Sequence, residues 1–128
     1  PTILARQAAA IDDLSGGRMI LGLGAGWQER EHTLFGHNLG DIPTRMARLE
    51  EALEVTKLLL NSDEPVTFEG SFYQLRGATL LPRPQRPGGP DILIGGNGPK
   101  RCRWPHATRR SGTACTSRPR RSPSATPA

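Results

Sequence analysis

Hydrophobic residues near the start of the chain recur at helical spacing. Leu4, Ala8 and Ile11 lie at positions i, i+4 and i+7, followed by Leu14. This pattern predicts a helix over about residues 3–14 with these side chains on its buried face. The helix should end at Ser15-Gly-Gly17, because glycine readily takes the left-handed conformation found at helix ends.

Two short apolar runs predict β-strands. The first is Met19-Ile-Leu21 with Leu23, and the second is Ile92-Leu-Ile94 after Asp91. Continuous apolar runs of this length are typical of strands that are buried on both faces, as in parallel sheets.

The longest helical pattern begins at Pro43-Thr44. Its apolar stripe is typical of a helix with one buried face, and it consists of Met46, Leu49, Leu53 and Leu60, widened by Ala52 and Leu59. The polar residues 27–42 before it predict a long loop with a short helical turn at 28–34.

After this helix the pattern changes to that of a β-hairpin and an extended connector. Apolar-rich arms flank Glu69-Gly-Ser71 within residues 66–75, which predicts two antiparallel strands. Four prolines between positions 82 and 90 then favour extended chain.

The order of these elements predicts the fold class. A long helix between two buried strands forms a βαβ unit, hence a parallel sheet and the α/β class. A complete α/β barrel has roughly 250 residues, whereas this chain has 128 and begins at Pro1. Since two strands do not make a stable parallel sheet alone, we expect residues 1–100 to be part of a larger domain.

Charge divides the chain at about residue 100. Residues 1–100 contain 10 basic and 12 acidic side chains, a net charge of −2. Residues 101–128 contain seven Arg and no Lys, Asp or Glu, a net charge of +7. No run of about 18 apolar residues predicts a transmembrane helix, and no basic-then-apolar start predicts a secretory signal. We therefore expect a cytoplasmic protein that does not associate with membranes.

Glycines follow each predicted strand. Gly22-Leu-Gly24-Ala-Gly26 follows the first strand, and Gly95-Gly-Asn-Gly98 follows the second. Glycine lets a ligand approach bare backbone, and its positive φ lets successive N–H groups converge on an anion. Ligands bind at the carboxyl ends of parallel strands in α/β folds, so the pair predicts a site for a phosphate-bearing cofactor. Either segment alone is explained equally well by a tight turn.

A dinucleotide-binding Rossmann motif fits these glycines poorly. That motif needs its third glycine three residues after the second, with a helix directly behind it. Here Gly22, Gly24 and Gly26 are evenly spaced and precede a polar loop.

The polar loop offers few candidates for chemistry. Trp27 is suited either to cover a planar cofactor ring or to pack within the loop. Glu29, Glu31 and His32 have a metal-like spacing, but such residues in a polar loop are more often a solvated face, so we predict no metal. No catalytic acid, base or nucleophile is identified.

Taken together, these segments resemble the bacterial luciferase-like family. The resemblance covers residues 1–100 in order and rests on Leu14-Ser-Gly-Gly-Arg-Met-Ile-Leu-Gly-Leu-Gly-Ala-Gly-Trp27, Leu34-Phe-Gly36, Arg48-Leu-Glu-Glu-Ala-Leu-Glu54, Phe68-Glu-Gly-Ser-Phe-Tyr73, Leu81-Pro-Arg-Pro84 and Ile94-Gly-Gly-Asn-Gly-Pro99. It implies the central fragment of a TIM (β/α)8 barrel, with strand four at 19–25, strand five at 91–95, flanking helices, and the hairpin as an excursion between strands.

The resemblance also implies a cofactor. Members of the family are monooxygenases that use reduced FMN, or dehydrogenases and reductases that use the deazaflavin coenzyme F-420. This sequence is most similar to the actinobacterial deazaflavin-dependent branch. Carried over by position, the residues that would contact the flavin are Gly24, Ala25, Gly26, Trp27, Gly95, Gly96, Asn97 and Gly98. The full-length parent would take a small organic substrate, and its oligomeric state is open. Most of the barrel is missing, so we expect little activity from this chain.

The tail departs from the family, which continues after Pro99 with a helix. Residues 101–128 are instead rich in Arg, Pro, Ser and Thr. Codons for residues 101–116 can be chosen so that another frame reads LPLAARYAAEWNGVY, which is the expected helix and strand. We interpret the tail as the result of a one-base frameshift near Lys100, and we expect it to be disordered.

Two other functions follow from different features. The seven tail arginines would suit a small basic protein that binds nucleic acid through phosphates, although Trp104 is the tail's one aromatic residue and no groove-reading motif is present. The second alternative is a non-catalytic barrel fragment that pairs with a partner chain.

Overall fold

A computed structural model describes residues 1–95 of the protein. Its elements follow in the order α1 (Thr2–Leu14), β1 (Ile20–Leu23), α2 (Glu29–Leu34), α3 (Ile42–Asn61), β2 (Val66–Glu69), β3 (Gln74–Ala78) and β4 (Asp91–Ile94). The predicted α/β class and each predicted element are confirmed, including the short helical turn within the polar loop. No helix among these residues is both long and apolar enough to cross a membrane.

The strands β1 and β4 are parallel neighbours, as the βαβ pattern predicts. Leu21 lies opposite Ile92, and Leu23 lies opposite Ile94. The helix α3 and a separate two-stranded antiparallel sheet, β2–β3, lie between them in the sequence. The parallel pair therefore brings together two segments about 70 residues apart in the chain.

Only one face of the β1–β4 pair is covered by the described residues. That face contributes to a core formed by Ala8, Leu21, Leu49, Leu53, Ile92 and Ile94. On the other face Ile20 is 62% exposed and Leu93 is 61% exposed. The prediction that both strands are buried on both faces is wrong for this part of the chain, because α1 and α3 pack on one side of the sheet only.

The helix α1 packs through a different face from the one its larger side chains predict. Its buried residues are Ala5, Ala8, Ala9 and Asp12, whereas Ile11 is 50% exposed and Leu14 is 89% exposed. Small alanine side chains allow the backbone of α1 to approach α3 closely. The predicted face of Leu4, Ala8 and Ile11 is therefore correct only at Ala8.

The helix α3 follows its predicted stripe closely. Leu49, Leu53 and Leu60 are buried, and Met46 is half-buried. At the amino end the Asp41 carboxylate accepts a 2.9 Å hydrogen bond from the Thr44 N–H, which satisfies one of the unpaired donors of the first turn. Hydrogen bonds from the Thr44 side chain and backbone hold the pKa of Asp41 below its usual range.

The β2–β3 hairpin is fastened to α3 by one carboxylate. Glu51 accepts hydrogen bonds of 2.8 Å from the N–H groups of Ser71 and Phe72, and of 3.2 Å from that of Tyr73. The apolar residues beneath the hairpin form the second core cluster, which consists of Ala5, Ala9, Val55, Leu59, Leu60, Val66, Leu75 and Leu80.

The proline-rich connector is held by two arginines. Arg83 donates to the carbonyl oxygens of Leu59 and Leu60 at 2.8 and 3.1 Å, which satisfies the last turn of α3. Arg86 donates to both carboxylate oxygens of the fully buried Asp12 at 3.0 Å each. These contacts set the position from which β4 enters the sheet beside β1.

Candidate functional site

The carboxyl ends of β1 and β4 lie side by side. The Gly95 N–H donates a 2.7 Å hydrogen bond to the carbonyl of Leu23, and a Cβ placed on Gly24 would lie 3.8 Å from the Gly95 carbonyl oxygen. The first glycine segment and Gly95, the one described residue of the second, therefore meet at one edge of the sheet. We call residues 24–27 together with Gly95 the glycine rim.

Bare main chain is accessible along this edge. A Cβ on Gly22 would meet no atom within 4 Å, and one on Gly24 would meet only the Gly95 carbonyl at 3.8 Å. Both glycines are exposed. A ligand on this side of the strands could approach the backbone without displacing a side chain.

The rim turns sharply at Gly26, which has a φ of 76°. A Cβ at this position would lie 3.2 Å from both the His32 Nε2 atom and the Leu39 Cδ1 atom. The turn therefore favours glycine for two reasons, since its φ is disfavoured for other residues and a side chain here would have to displace His32 and Leu39 slightly.

The remaining predicted residues occupy different environments on the rim. Ala25 is half-buried against the core beneath the sheet, so only its backbone is suited to meet a ligand. Trp27 is 81% exposed and offers a flat aromatic surface next to the turn. Gly96, Asn97 and Gly98 lie outside the described residues, as does the tail 101–128.

Arg45 is a rim contact that the sequence patterns did not indicate. It lies in the first turns of α3, and its Nη1 atom donates a 3.0 Å hydrogen bond to the carbonyl of Gly26. Its Nε atom is buried and has no hydrogen-bond partner among residues 1–95. The sequence provided only weak evidence for this contact, since Arg45 precedes the amphipathic stripe of α3 and is 19 residues from Gly26.

The metal-like residues of the loop do not form a metal site in the described part of the chain. Glu29, Glu31 and His32 lie in α2, where the His32 Nδ1 atom is 2.8 Å from the Gln28 carbonyl oxygen. No group of three or more His, Cys, Asp or Glu side chains within residues 1–95 is placed to hold a metal ion.

The rim exposes main chain that a ligand could contact, but its own side chains supply no reactive group. Residues 24–27 and Gly95 comprise three glycines, an alanine and a tryptophan, none of which titrates near neutral pH. The rim is also an open edge. A separate shallow depression lies on the hairpin beside Glu69, Gln74 and Arg76, within one exposed hairpin, whereas two separate chain segments converge at the rim.

Comparison with known proteins places these features in a family. Residues 1–104 match the family model described as luciferase-like monooxygenase. The chain is 39% identical over 98 residues to an F420-dependent glucose-6-phosphate dehydrogenase of Kineococcus radiotolerans, an alignment that covers 77% of this chain and 28% of the relative. It is 32% identical over 97 residues to an FMNH(2)-dependent dimethylsulfone monooxygenase of Pseudomonas putida, an alignment that covers 76% of this chain and 26% of the relative.

Solved structures show the same relationship. An F420-dependent secondary alcohol dehydrogenase in complex with an F420-acetone adduct matches with a TM-score of 0.70 and 31% identity, covering 80% of this chain and 30% of that chain. The present chain thus spans less than a third of the length of these relatives. None of these three relatives is named as a nucleic-acid-binding protein.

Proposed function

Since the chain belongs to the luciferase-like monooxygenase family, we propose that it forms the cofactor-binding edge of a flavin-type oxidoreductase. In this proposal β1 and β4 are strands four and five of the TIM barrel. Residues 1–100 are a partial barrel domain, and residues 101–128 are a separate, frameshifted tail. The cofactor is reduced FMN or the deazaflavin coenzyme F-420.

One observation carries the proposal, which is that the ends of β1 and β4 share one edge. The 2.7 Å hydrogen bond from the Gly95 N–H to the Leu23 carbonyl joins them directly. Had the two glycine segments been at opposite ends of the sheet, no single ligand could have contacted both. The cofactors named for the relatives, F420 and FMNH(2), support a flavin-type ligand at this edge.

The cofactor would be held by main chain on both strand ends. We assign this role to Gly24, Ala25, Gly26, Trp27, Gly95, Gly96, Asn97 and Gly98. The N–H groups of residues 24–27 are suited to the phosphate, because glycine-rich turns can direct several donors at one anion, whereas the Gly95 N–H already donates to the Leu23 carbonyl. The exposed indole of Trp27 is suited to lie against the planar ring system.

The bound cofactor would supply either hydride transfer or activation of oxygen. The residues of this chain would position the cofactor and exclude water from one side of it. By analogy with the relatives, whose names specify glucose 6-phosphate and dimethylsulfone, the substrate is a small organic molecule. A cytoplasmic location stays a prediction. The rim is open, so we expect the isolated chain to bind weakly and turn over little.

Cofactor binding can be tested on the chain itself through Trp27. The sequence has two tryptophans, so Trp104→Phe leaves Trp27 as the reporter. We expect FMN and coenzyme F-420 to quench Trp27 fluorescence saturably. Riboflavin, which lacks the phosphate, should bind about tenfold more weakly, the effect expected for loss of charge-assisted hydrogen bonds.

A variant that fills the rim provides the matching loss of function. Gly24→Val adds a side chain above the main chain, where its Cβ would meet only the Gly95 carbonyl at 3.8 Å, so folding should survive. We expect binding to fall by more than about tenfold. Ala10→Val adds branched bulk on the exposed side of α1 and should leave binding unchanged. Unsaturable quenching, or equal affinity in the two variants, would refute the proposed site.

A further inference from the structure

We propose that Arg45 is a positioning residue that holds the glycine rim in the shape needed by the cofactor. This inference rests on the proposed function, since it assigns a residue to the same site. Arg45 itself is a residue of α3, and it acts on the rim through the Gly26 carbonyl.

The contact fixes the orientation of one peptide group. The Gly26 carbonyl accepts the 3.0 Å hydrogen bond from Arg45 Nη1. In a planar trans peptide the carbonyl and the following N–H point in opposite directions. By holding the Gly26 carbonyl, Arg45 therefore also directs the Trp27 N–H away from α3.

The position of Gly26 is restricted by two further side chains. His32 and Leu39 lie where a Gly26 side chain would project, with atoms 3.2 Å from that position. The Gly26 turn is thus contacted by α2, by the loop that follows it and by the Arg45 guanidinium. A turn held in this way presents its donors with little loss of entropy when an anion binds.

Stability alone does not account for an arginine at this place. Its Nε atom is buried without a partner in the part of the chain that the structure describes, and an unsatisfied buried donor is destabilising. Unsatisfied groups of this kind call for an explanation in function or in packing. The bond to the rim carbonyl provides one.

Arg48 supplies a matched comparison on the same helix. It lies one turn after Arg45, and its guanidinium carbon is 5.3 Å from the centre of the Phe72 ring, so it contacts the hairpin. Arg48→Met and Arg45→Met remove the same charge and the same hydrogen-bonding group from α3. Only Arg45→Met removes the bond to the rim.

The test uses the full chain carrying Trp104→Phe, with Trp27 as the reporter. Time-resolved anisotropy measures how freely the indole moves on the nanosecond scale. We expect the amplitude of fast motion to rise about twofold in Arg45→Met and to stay unchanged in Arg48→Met. The dissociation constant for FMN should rise about tenfold in Arg45→Met, with an intermediate value in Arg45→Lys, which keeps a charged donor.

The outcomes separate this inference from the proposed function. Equal anisotropy in Arg45→Met and Arg48→Met would overturn the positioning role, whether or not FMN binds. If the Trp27 indole moves more freely in Arg45→Met but the affinity for FMN is unchanged, the claim that Arg45 shapes the rim for the cofactor is overturned. If no chain binds FMN, the proposed function fails, and the anisotropy still decides whether Arg45 orders the rim. Should Arg45→Met unfold, Arg45→Lys is compared with Arg48→Lys in the same way.

Discussion

At the scale of single residues, Asp12 shows how one buried charge can organise several segments. Its side chain is fully buried, and both of its oxygens accept hydrogen bonds from Arg86 at 3.0 Å. It also accepts a 3.2 Å bond from the Met19 N–H. The carboxylate thus joins the end of α1, the start of β1 and the connector that leads into β4.

Removing the charge of Asp12 should destabilise the fold strongly. Asp12→Asn keeps the shape but removes the charge nearest to Arg86, whose other acidic partner, Asp91, is 3.6 Å away. We expect a loss of about 2–4 kcal/mol in the free energy of unfolding, less than for a fully buried pair because the Arg86 side chain is partly exposed. Urea denaturation followed by circular dichroism measures this loss.

The control for this prediction is another acidic partner of a connector arginine. Asp63 pairs with Arg83 at 3.0 Å, but its side chain is 87% exposed, so Asp63→Asn should cost less than about 1 kcal/mol. Similar losses in the two variants would show that Asp12 has no special role in joining these segments.

The sequence allowed the behaviour of individual residues to be predicted where it depends on local backbone conformation. Gly26 was expected at a turn, and its φ of 76° agrees. The long-range partners of Asp12, Glu51 and Arg45 were not predictable from spacing, because they are 74, 20–22 and 19 residues away. One usable signal was present, since Asp12 continues the small-residue face of Ala5, Ala8 and Ala9 at helical spacing.

At the scale of elements, the hairpin depends on Glu51 of α3. Burial acts to raise the pKa of Glu51, but hydrogen bonds from the N–H groups of Phe72, Ser71 and Tyr73 outweigh it and hold the pKa below the ordinary value of 4.5. The charged form is therefore favoured in the folded protein. Its contribution to stability is present above pH 4.5 and is lost as the pH falls through the lowered pKa.

This linkage predicts a pH-dependent attachment of the hairpin. The amide proton shifts of Ser71 and Phe72 should titrate together with a midpoint below 4.5, and the urea midpoint should fall over the same range. In Glu51→Gln the amide titration should disappear and the fall in the urea midpoint should become smaller, since Asp41, whose pKa is also lowered, still contributes; the exposed Glu54→Gln should retain both effects in full. Nuclear magnetic resonance titration of the two variants tests this prediction. If the amide shifts titrate unchanged in Glu51→Gln, the titrating group is a different residue.

The existence of each element followed from local patterns, but the face by which α1 packs did not. Helical spacing of Leu4 and Ile11 indicated an apolar surface, yet the helix contacts α3 through its alanines. Hydrophobicity alone ranks larger side chains as the better core residues. Close helix approach favours small ones, and which effect prevails depends on the neighbouring helix.

At the scale of the whole molecule, the β1–β4 pair has a covered face and an open one. Ile20 and Leu93 are exposed on the open face, next to strand edges that no other described strand pairs with. Exposed apolar surface and unpaired edges favour association between chains. The chain should therefore self-associate through this face.

A charge on the open face should reduce that association without unfolding the chain. Leu93→Glu is expected to change the free energy of unfolding by less than about 0.5 kcal/mol and to lower both the mass measured by light scattering and the binding of an apolar dye. Ile92→Glu places the same charge at a buried neighbour and should unfold the protein. Undiminished association of Leu93→Glu would locate the contact elsewhere.

Local pattern was sufficient to establish the helices, the strands, the hairpin and the glycines behind each parallel strand, because these depend on side-chain periodicity and backbone freedom within a few residues. Folding alone brought residues 24–26 and Gly95 to one edge and set Arg45 against Gly26, Asp12 against Arg86 and Glu51 against the hairpin turn. Those contacts join residues far apart in the chain, and their geometry comes from helix packing and strand register. Both are cooperative properties of the assembled structure that periodicity does not encode.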